Sequence, residues 1–251
     1  MRVRRVLSLL VGAGALLSTT VLAAPASAAP AAPFVPPGQT DIIDGGPASY
    51  APFAVRLFSN GNPWCSATII APSWVLTAQH CVSDDSATYT FRIGSLQQDS
   101  GGALVTGVEV VDHPSADISL VRIDQAQPSW WQFAKLGTSS AVAANQAVQI
   151  WGWGATCLGD EVSCQSPVLK LATTLVESVS ASDWLGGVAI SSTRVDGIAA
   201  GGDSGGPMMA TSPVDGQYYQ VGVSSTSNRF DWCAYTNVTV YRPWIFSVAG
   251  V

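Results

Sequence analysis

Short runs of β-branched and aromatic residues recur along this 251-residue chain, with Gly, Pro, Asn or Asp between them. They fall at residues 54–58, 67–70, 74–78, 89–93, 104–111, 118–123 and 147–151, and again at 168–176, 188–191, 217–223 and 235–240. Such runs, bounded by turn formers, predict strands. Helical repeats of about 10 to 15 residues are nearly absent, which favours a sandwich or barrels over a sheet flanked by helices. From Ile42 to Val251 no linker or sequence repeat interrupts the pattern. That stretch suits one all-β unit or two tightly packed halves.

The residues before Ile42 have a different character. Arg2, Arg4 and Arg5 precede an apolar run over 6–17, and Ala26-Ser27-Ala28 offers small residues for cleavage. This is the pattern of a secretory signal peptide over 1–28, the apolar run being short for a span of about 20 residues. Residues 29–41, with Pro30, Pro33, Pro36 and Pro37, are too rich in proline for a helix or a central strand and read as a short extended pro-segment. The expected product is secreted.

Composition then narrows the function. Charged residues make up 11% of the chain against roughly 25% in an average soluble protein, and 47% are hydrophobic, enough for a sizeable core. The net charge is −6; without residues 1–28 there remain 8 basic and 17 acidic side chains, a charge of −9. So acidic a protein offers no attraction to nucleic acid or to an anionic membrane. Export also favours disulfides for the five cysteines, and the odd number leaves at least one unpaired. Two histidines and no Cys-x-x-Cys give no zinc site of the usual spacing.

Candidate chemistry starts at Gly202-Asp203-Ser204-Gly205-Gly206-Pro207. Glycines there allow a tight turn that can aim backbone N–H groups at one point, as stabilising an oxyanion requires; the alternative is a plain Gly-rich turn. A serine needs a base to become a nucleophile, and the base needs a group to orient it. His80 ends the apolar run Leu76-Thr77-Ala78-Gln79-His80-Cys81, and Cys65 can staple Cys81 back to the preceding strand. His113 lies directly before Pro114 in an expected strand-end turn. Asp117, opening the apolar run Ile118-Ser119-Leu120, is a candidate orienting carboxylate, although most aspartates before strands simply form turns.

Together these segments resemble the trypsin/chymotrypsin family of serine proteases, especially its secreted actinobacterial members. The resemblance runs from Ile42-Ile43-Asp44-Gly45-Gly46 through the run 71–81, Asp117-Ile118-Ser119-Leu120, Gly152-Trp153-Gly154 and the 202–207 turn to Tyr235-Thr236-Asn237-Val238. The chain order His80, Asp117, Ser204 is that of chymotrypsin rather than of subtilisin or the α/β hydrolases. It implies two six-stranded antiparallel β-barrels with a short C-terminal helix, over a protease domain of residues 42–251. It further implies Ser204 as nucleophile, His80 as general base and Asp117 as its orienting acid, with the N–H groups of Gly202 and Ser204 as oxyanion hole. Neither cofactor nor metal is implied. The expected partners are a protein or peptide substrate and a protein inhibitor, on a monomer.

Several positions depart from the family pattern. Ile42 should become a new N-terminus whose ammonium pairs with Asp203, yet Asp41 precedes it where self-activation needs Arg or Lys. The alternative for Asp203 is a turn carboxylate held by local amides. Ile198 stands where a trypsin-like enzyme carries its pocket-floor aspartate, and Ala200 replaces a pocket-bracing cysteine. Ser224, Ser225 and Thr226 take the place of a common Ser-Trp-Gly, and Cys233 falls at a wall position often held by glycine. A pocket without a carboxylate and narrowed by side chains predicts small or medium apolar residues at P1, the substrate residue before the scissile bond.

Cys157 and Cys164 most simply close a short loop and leave Cys233 as the odd thiol, the alternative being a pairing of Cys233 with either. Trp151 and Trp153 read as core landmarks, and Asn237-Val238-Thr239 as a chance match to a glycosylation sequon. The rival functions are a non-catalytic protease homologue acting as a binding protein, and an esterase on the same fold.

Overall fold

The computed structural model describes residues 42–251. The expected signal peptide and pro-segment, residues 1–41, lie outside the described residues. After a short strand β1 (Gly46–Pro47) come β2 (Ala54–Ser59), β3 (Asn62–Ala71), β4 (Trp74–Thr77), β5 (Tyr89–Ile93), β6 (Ala103–Asp112) and β7 (Ser119–Ile123). The last six close into an antiparallel barrel in the order β2-β3-β4-β7-β6-β5. Then follow β8 (Ala147–Gly152), β9 (Lys170–Ser182), β10 (Val188–Arg194), β11 (Pro207–Thr211), β12 (Tyr218–Ser227) and β13 (Trp232–Asn237). Their order is β9-β10-β13-β12-β11-β8, and the pairing of β8 with β9 closes a second six-stranded barrel.

Local chemistry explains where the strand pattern stops and starts. Asn60 and Gly61, at φ +51° and +80°, form the two-residue turn that joins β2 to β3, the Asn-Gly pair suited to a tight hairpin. That turn makes 62–66 part of β3, although Pro63 and Cys65 disguise its alternation. β11 opens on Pro207 at the end of the glycine turn, a first-residue position where a missing N–H is tolerated.

At the other end, the run at 235–240 does not continue as a strand. Asn237 turns the chain into α1 (Val238–Ala249), its side chain accepting from the Thr239 N–H as a helix cap. The same side chain donates to Val179 O at 2.9 Å and is buried, so the sequon asparagine is spent inside the fold.

Each barrel has its own apolar core. Val55, Leu57, Ile69, Leu76, Phe91, Ile93 and Leu120 fill the first. Ile150, Ile190, Ile198, Met208, Val221 and Tyr235 fill the second. A third cluster joins the halves, with Ala51 and Ala54 of the first against Trp151, Trp153, Leu169, Leu171 and Met209 of the second. Helix α1 returns from the second barrel to seat Ile245 and Val238 on the first barrel's core. Fully burying a side chain such as Ile245 contributes about 1.5–3 kcal/mol. These contacts hold the two halves in fixed register, and the candidate residues lie where the halves meet.

Candidate active site

β4 ends at Thr77, and a single 3₁₀ turn over Gln79–Cys81 carries His80. Cys81 is bonded to Cys65 in β3, Cα to Cα 6.2 Å, which ties this turn to the barrel. A closed loop of this size contributes about 3 kcal/mol in the chain-entropy account. The sulfurs of Cys65 and Cys81 lie within 4.8 Å of a His80 ring nitrogen, but both are consumed in the disulfide and cannot serve as thiolate ligands.

Asp117 sits just before β7, wholly buried. Its Oδ1 accepts from the backbone N–H of His80 at 3.0 Å and its Oδ2 lies 2.8 Å from His80 Nδ1. Ser225 Oγ donates to the same Oδ2 at 2.6 Å. Burial alone would raise the Asp117 carboxyl; the hydrogen bonds and charge of His80, with Ser225, outweigh it and hold the group below its ordinary value. With Nδ1–H donating to this carboxylate, the lone pair of neutral His80 resides on Nε2.

The backbone of Asp117 is fixed in turn by Asp183, whose Oδ2 accepts its N–H at 2.9 Å. Thr236 Oγ1 lies 3.0 Å from both Asp117 O and Asp183 Oδ2.

Ser204 stands on the turn between β10 and β11. Gly202 adopts φ +99°, a conformation that side chains rarely adopt, and this reverses the chain just ahead of the serine. The Ser204 carbonyl accepts from Ser66 N at 2.8 Å, and Gly205 N donates to Ser224 O at 2.8 Å, so both barrels grip the turn. Among the described residues, the N–H groups of Gly202 and Ser204 donate to no protein acceptor. A free pair of amides beside a serine is what binding an oxyanion requires.

His80 and Ser204 open on one cavity of about 320 Å³, whose wall includes Ser224, Ser225, Thr226, Ala199 and Ala200. Ile198 and Cys233 do not line it. Ile198 bridges Ile43 inside the second barrel, and Cys233 is buried against Ser192, 3.3 Å from Ser192 Oγ to Sγ. Burial pushes the Cys233 thiol up to about 12. The strand register places its side chain inward, so it does not narrow the cavity. Cys157 is bonded to Cys164.

The Asp203 carboxylate is fully enclosed and accepts from Gly154 N at 2.7 Å and Ala200 N at 2.9 Å. In the continuous chain the Ile42 nitrogen is part of a peptide bond, and the residue is buried at φ +45°, beside the bridge from Ile43 to Ile198. The cation that acts on Asp203 is Arg56, in β2, itself wholly buried. Arg56 Nη1 lies 3.3 Å from the carbonyls of both Cys65 and Gly202, and Nη2 donates to Gln165 Oε1.

Comparison with known proteins decides the lineage. The sequence profile of the trypsin family, described simply as Trypsin, matches residues 42–245. The chain belongs to the trypsin family. It is 30% identical to chymotrypsin-like elastase family member 1 of Bos taurus over 75% of this chain and 80% of that protein. To Trypsin Blo t 3 of Blomia tropicalis it is 28% identical over 81% and 84%, and to Trypsin CFT-1 of Choristoneura fumiferana 29% over 61% and 67%. As a trypsin-family member it is a serine endopeptidase, and its substrates are peptides or proteins.

For this trypsin-family chain, reasoning from sequence missed Arg56, Asp183, Glu161, Trp184 and Arg229. Arg56 had a signal, since a lone arginine inside Ala-Val-Arg-Leu-Phe needs buried partners. The others stand in ordinary-looking turns, and only the fold brings them to the site.

The setting of Asp203 predicts a pH effect on stability. Burial pushes its carboxyl from 3.8 up to about 6, with the two amides and Arg56 opposing. The folded chain therefore holds a proton there that the unfolded chain releases. That contribution is complete below about 4 and is lost as pH rises through about 6. Urea midpoints between pH 4 and 7 should include this decline in the continuous chain and lose it in Asp203→Asn. Equal slopes in both proteins would exclude Asp203 as its source.

Proposed function

We propose that this protein is a secreted serine endopeptidase that cleaves peptide bonds through an acyl-enzyme on Ser204, with a preference for small or medium apolar P1 residues. The observation that carries the reading is the 2.8 Å contact from His80 Nδ1 to the buried Asp117, on a cavity that His80 shares with Ser204. His80 Nε2 takes the Ser204 proton as Oγ attacks the scissile carbonyl, and Asp117 stabilises the imidazolium that forms. The N–H groups of Gly202 and Ser204 receive the negative charge that develops on the carbonyl oxygen. His80 then delivers its proton to the leaving amine, and water repeats the sequence to release the acid.

The P1 choice rests on the small side chains of Ala199, Ala200 and Ser224 and on a cavity lining that holds no carboxylate to pair with a cation. Export rests on Arg2, Arg4, Arg5 and the apolar run behind them, with cleavage after Ala28. Release of Ile42 calls for another protease, because Asp41 is not a residue such a pocket takes. A protein inhibitor would occupy the same cleft as substrate.

Treatment of the protein with a fluorophosphonate, followed by intact and peptide mass measurement, tests both the nucleophile and the mature N-terminus. The expected result is one adduct, on Ser204, absent from His80→Ala. A chain that begins at Ile42 and takes up no reagent would overturn the catalytic reading in favour of a binding homologue. Ester turnover without peptide turnover would replace the endopeptidase with an esterase.

A further inference from the structure

The cavity that His80 and Ser204 share contains one permanently charged side chain, Arg229. Its guanidinium is paired with Glu161, Nε to Oε1 at 3.0 Å and Nη2 to Oε2 at 3.3 Å. Glu161 belongs to the loop closed by Cys157 and Cys164, and its Oε2 also accepts from Gly201 N at 2.8 Å, next to the glycine of the candidate oxyanion hole. The two side chains thus join separate loops, 68 residues apart in sequence, beside the cavity that Arg229 lines.

Arg229 is held there deliberately by its backbone. It adopts φ +64°, uncommon for a residue with a side chain, and Asn228 Oδ1 receives the N–H groups of Phe230, Asp231 and Trp232 to fix the turn. Arg229 Nη1 further donates to Ser227 O at 2.6 Å. Both partners of the ion pair are partly open to solvent, 37% and 24%, and an ion pair so exposed adds little to stability. Its charge balance matters instead to whatever enters the cavity.

We propose that Arg229 is a specificity-determining residue whose charge Glu161 cancels: paired, the two groups keep the cavity for uncharged P1 side chains, and without Glu161 the cavity accepts acidic ones. A carboxylate entering the intact site must compete with Glu161 for the guanidinium and meets its repulsion. An uncharged side chain meets neither. Removing one member of the pair leaves a rim of the opposite sign to the member lost. This rests on the reading of the cavity as the P1 site.

The test uses the full chain and a peptide series that differs only at P1, with Glu, Gln, Lys and Leu. In Glu161→Gln the amide oxygen still serves Gly201 N, so the loop keeps its anchor. The ratio of kcat/KM for P1 Glu over P1 Gln should rise about fivefold, what one such ion pair commands. Arg229→Gln leaves Glu161 unpaired and should raise P1 Lys over P1 Gln by a similar factor. The double variant should return both ratios to those of the parent. Ratios that stay within twofold in both single variants, while Ser204 still takes up fluorophosphonate and peptides are cleaved, overturn the inference alone. A parent that neither takes up the reagent nor cleaves any peptide overturns it together with the reading of the site.

Discussion

Replacing Asp117 by Asn is expected to lower kcat by about 10⁴-fold while leaving KM close to its parent value. The magnitude is that of the same exchange in trypsin. The direction follows from the geometry. Asp117 Oδ2 accepts from His80 Nδ1 and from Ser225 Oγ, and Oδ1 from the His80 backbone, so every contact to this side chain is a donation toward it. An Asn side chain has one oxygen and one NH₂ group. With its oxygen facing the His80 backbone N–H, the amide presents a donor to Nδ1, and the imidazole must carry its proton on Nε2. That tautomer cannot accept from Ser204. Beyond His80, the change meets the cavity wall only at Ser225, whose hydroxyl can accept from the new NH₂ instead of donating, so the cavity keeps its shape and KM should hold. Steady-state kinetics on one good peptide decide it, and a loss under tenfold would show that His80 keeps its tautomer by other means.

Removing the guanidinium of Arg56 should have the largest effect on stability. Arg56→Leu is expected to destabilise the fold by about 3–5 kcal/mol, because Cys65 O, Gly202 O and Gln165 Oε1 lose a donor in the interior at about 1–3 kcal/mol each. For a chain of this length that lowers Tm by on the order of 10 °C. Burial pushes the guanidinium down to about 10, while the charge of Asp203 works in the opposite direction. It therefore remains cationic at neutral pH and compensates the enclosed carboxylate.

Its other task is at Gly202, whose carbonyl receives Arg56 Nη1 and Ser66 Oγ. With the arginine gone, that carbonyl keeps only Ser66 Oγ and its peptide unit only the further bond from Asp203 N to Ala200 O, so the neighbouring amide that should bind the oxyanion is held less firmly in direction. A fall in kcat of up to about 10²-fold is expected in the protein that remains folded, within the range for losing one such donor. Urea unfolding and kcat at matched folded fraction separate the two effects. A variant as stable as the parent would make Arg56 a bystander.

The two-barrel fold was legible mainly because its strands are short, β-branched and punctuated, and because three separated motifs fall in one characteristic order. What escaped was settled by contacts distant in sequence or by a competing local signal. β11 was hidden behind Pro207 at the end of a glycine turn. Val238 to Val240 carry β-branched side chains yet are helical, because Asn237 caps the helix and α1 buries an apolar face on the other barrel. At the site, the run Ser224 to Thr226 was recognised as cavity wall, whereas the donation from Ser225 to Asp117 depends on a register shift in β12 between Ser224 and Thr226. Cys233 was placed on that wall, but strand register turns it inward. Arg56 and Asp203 lie 147 residues apart, beyond the reach of any local pattern.

The two disulfides each stay within one half, Cys65 with Cys81 and Cys157 with Cys164, and the fifth cysteine is a buried thiol. Covalently, the barrels are therefore connected only through the segment between Ile123 and Ala147. A single cut there would make the protein a noncovalent heterodimer of its own halves, with His80 and Asp117 on one piece and Ser204 on the other. The cleft is in that sense a subunit interface drawn inside one chain, kept shut by the shared tryptophan cluster, by α1 and by hydrogen bonds such as that from Ser225 to Asp117 rather than by any covalent bond.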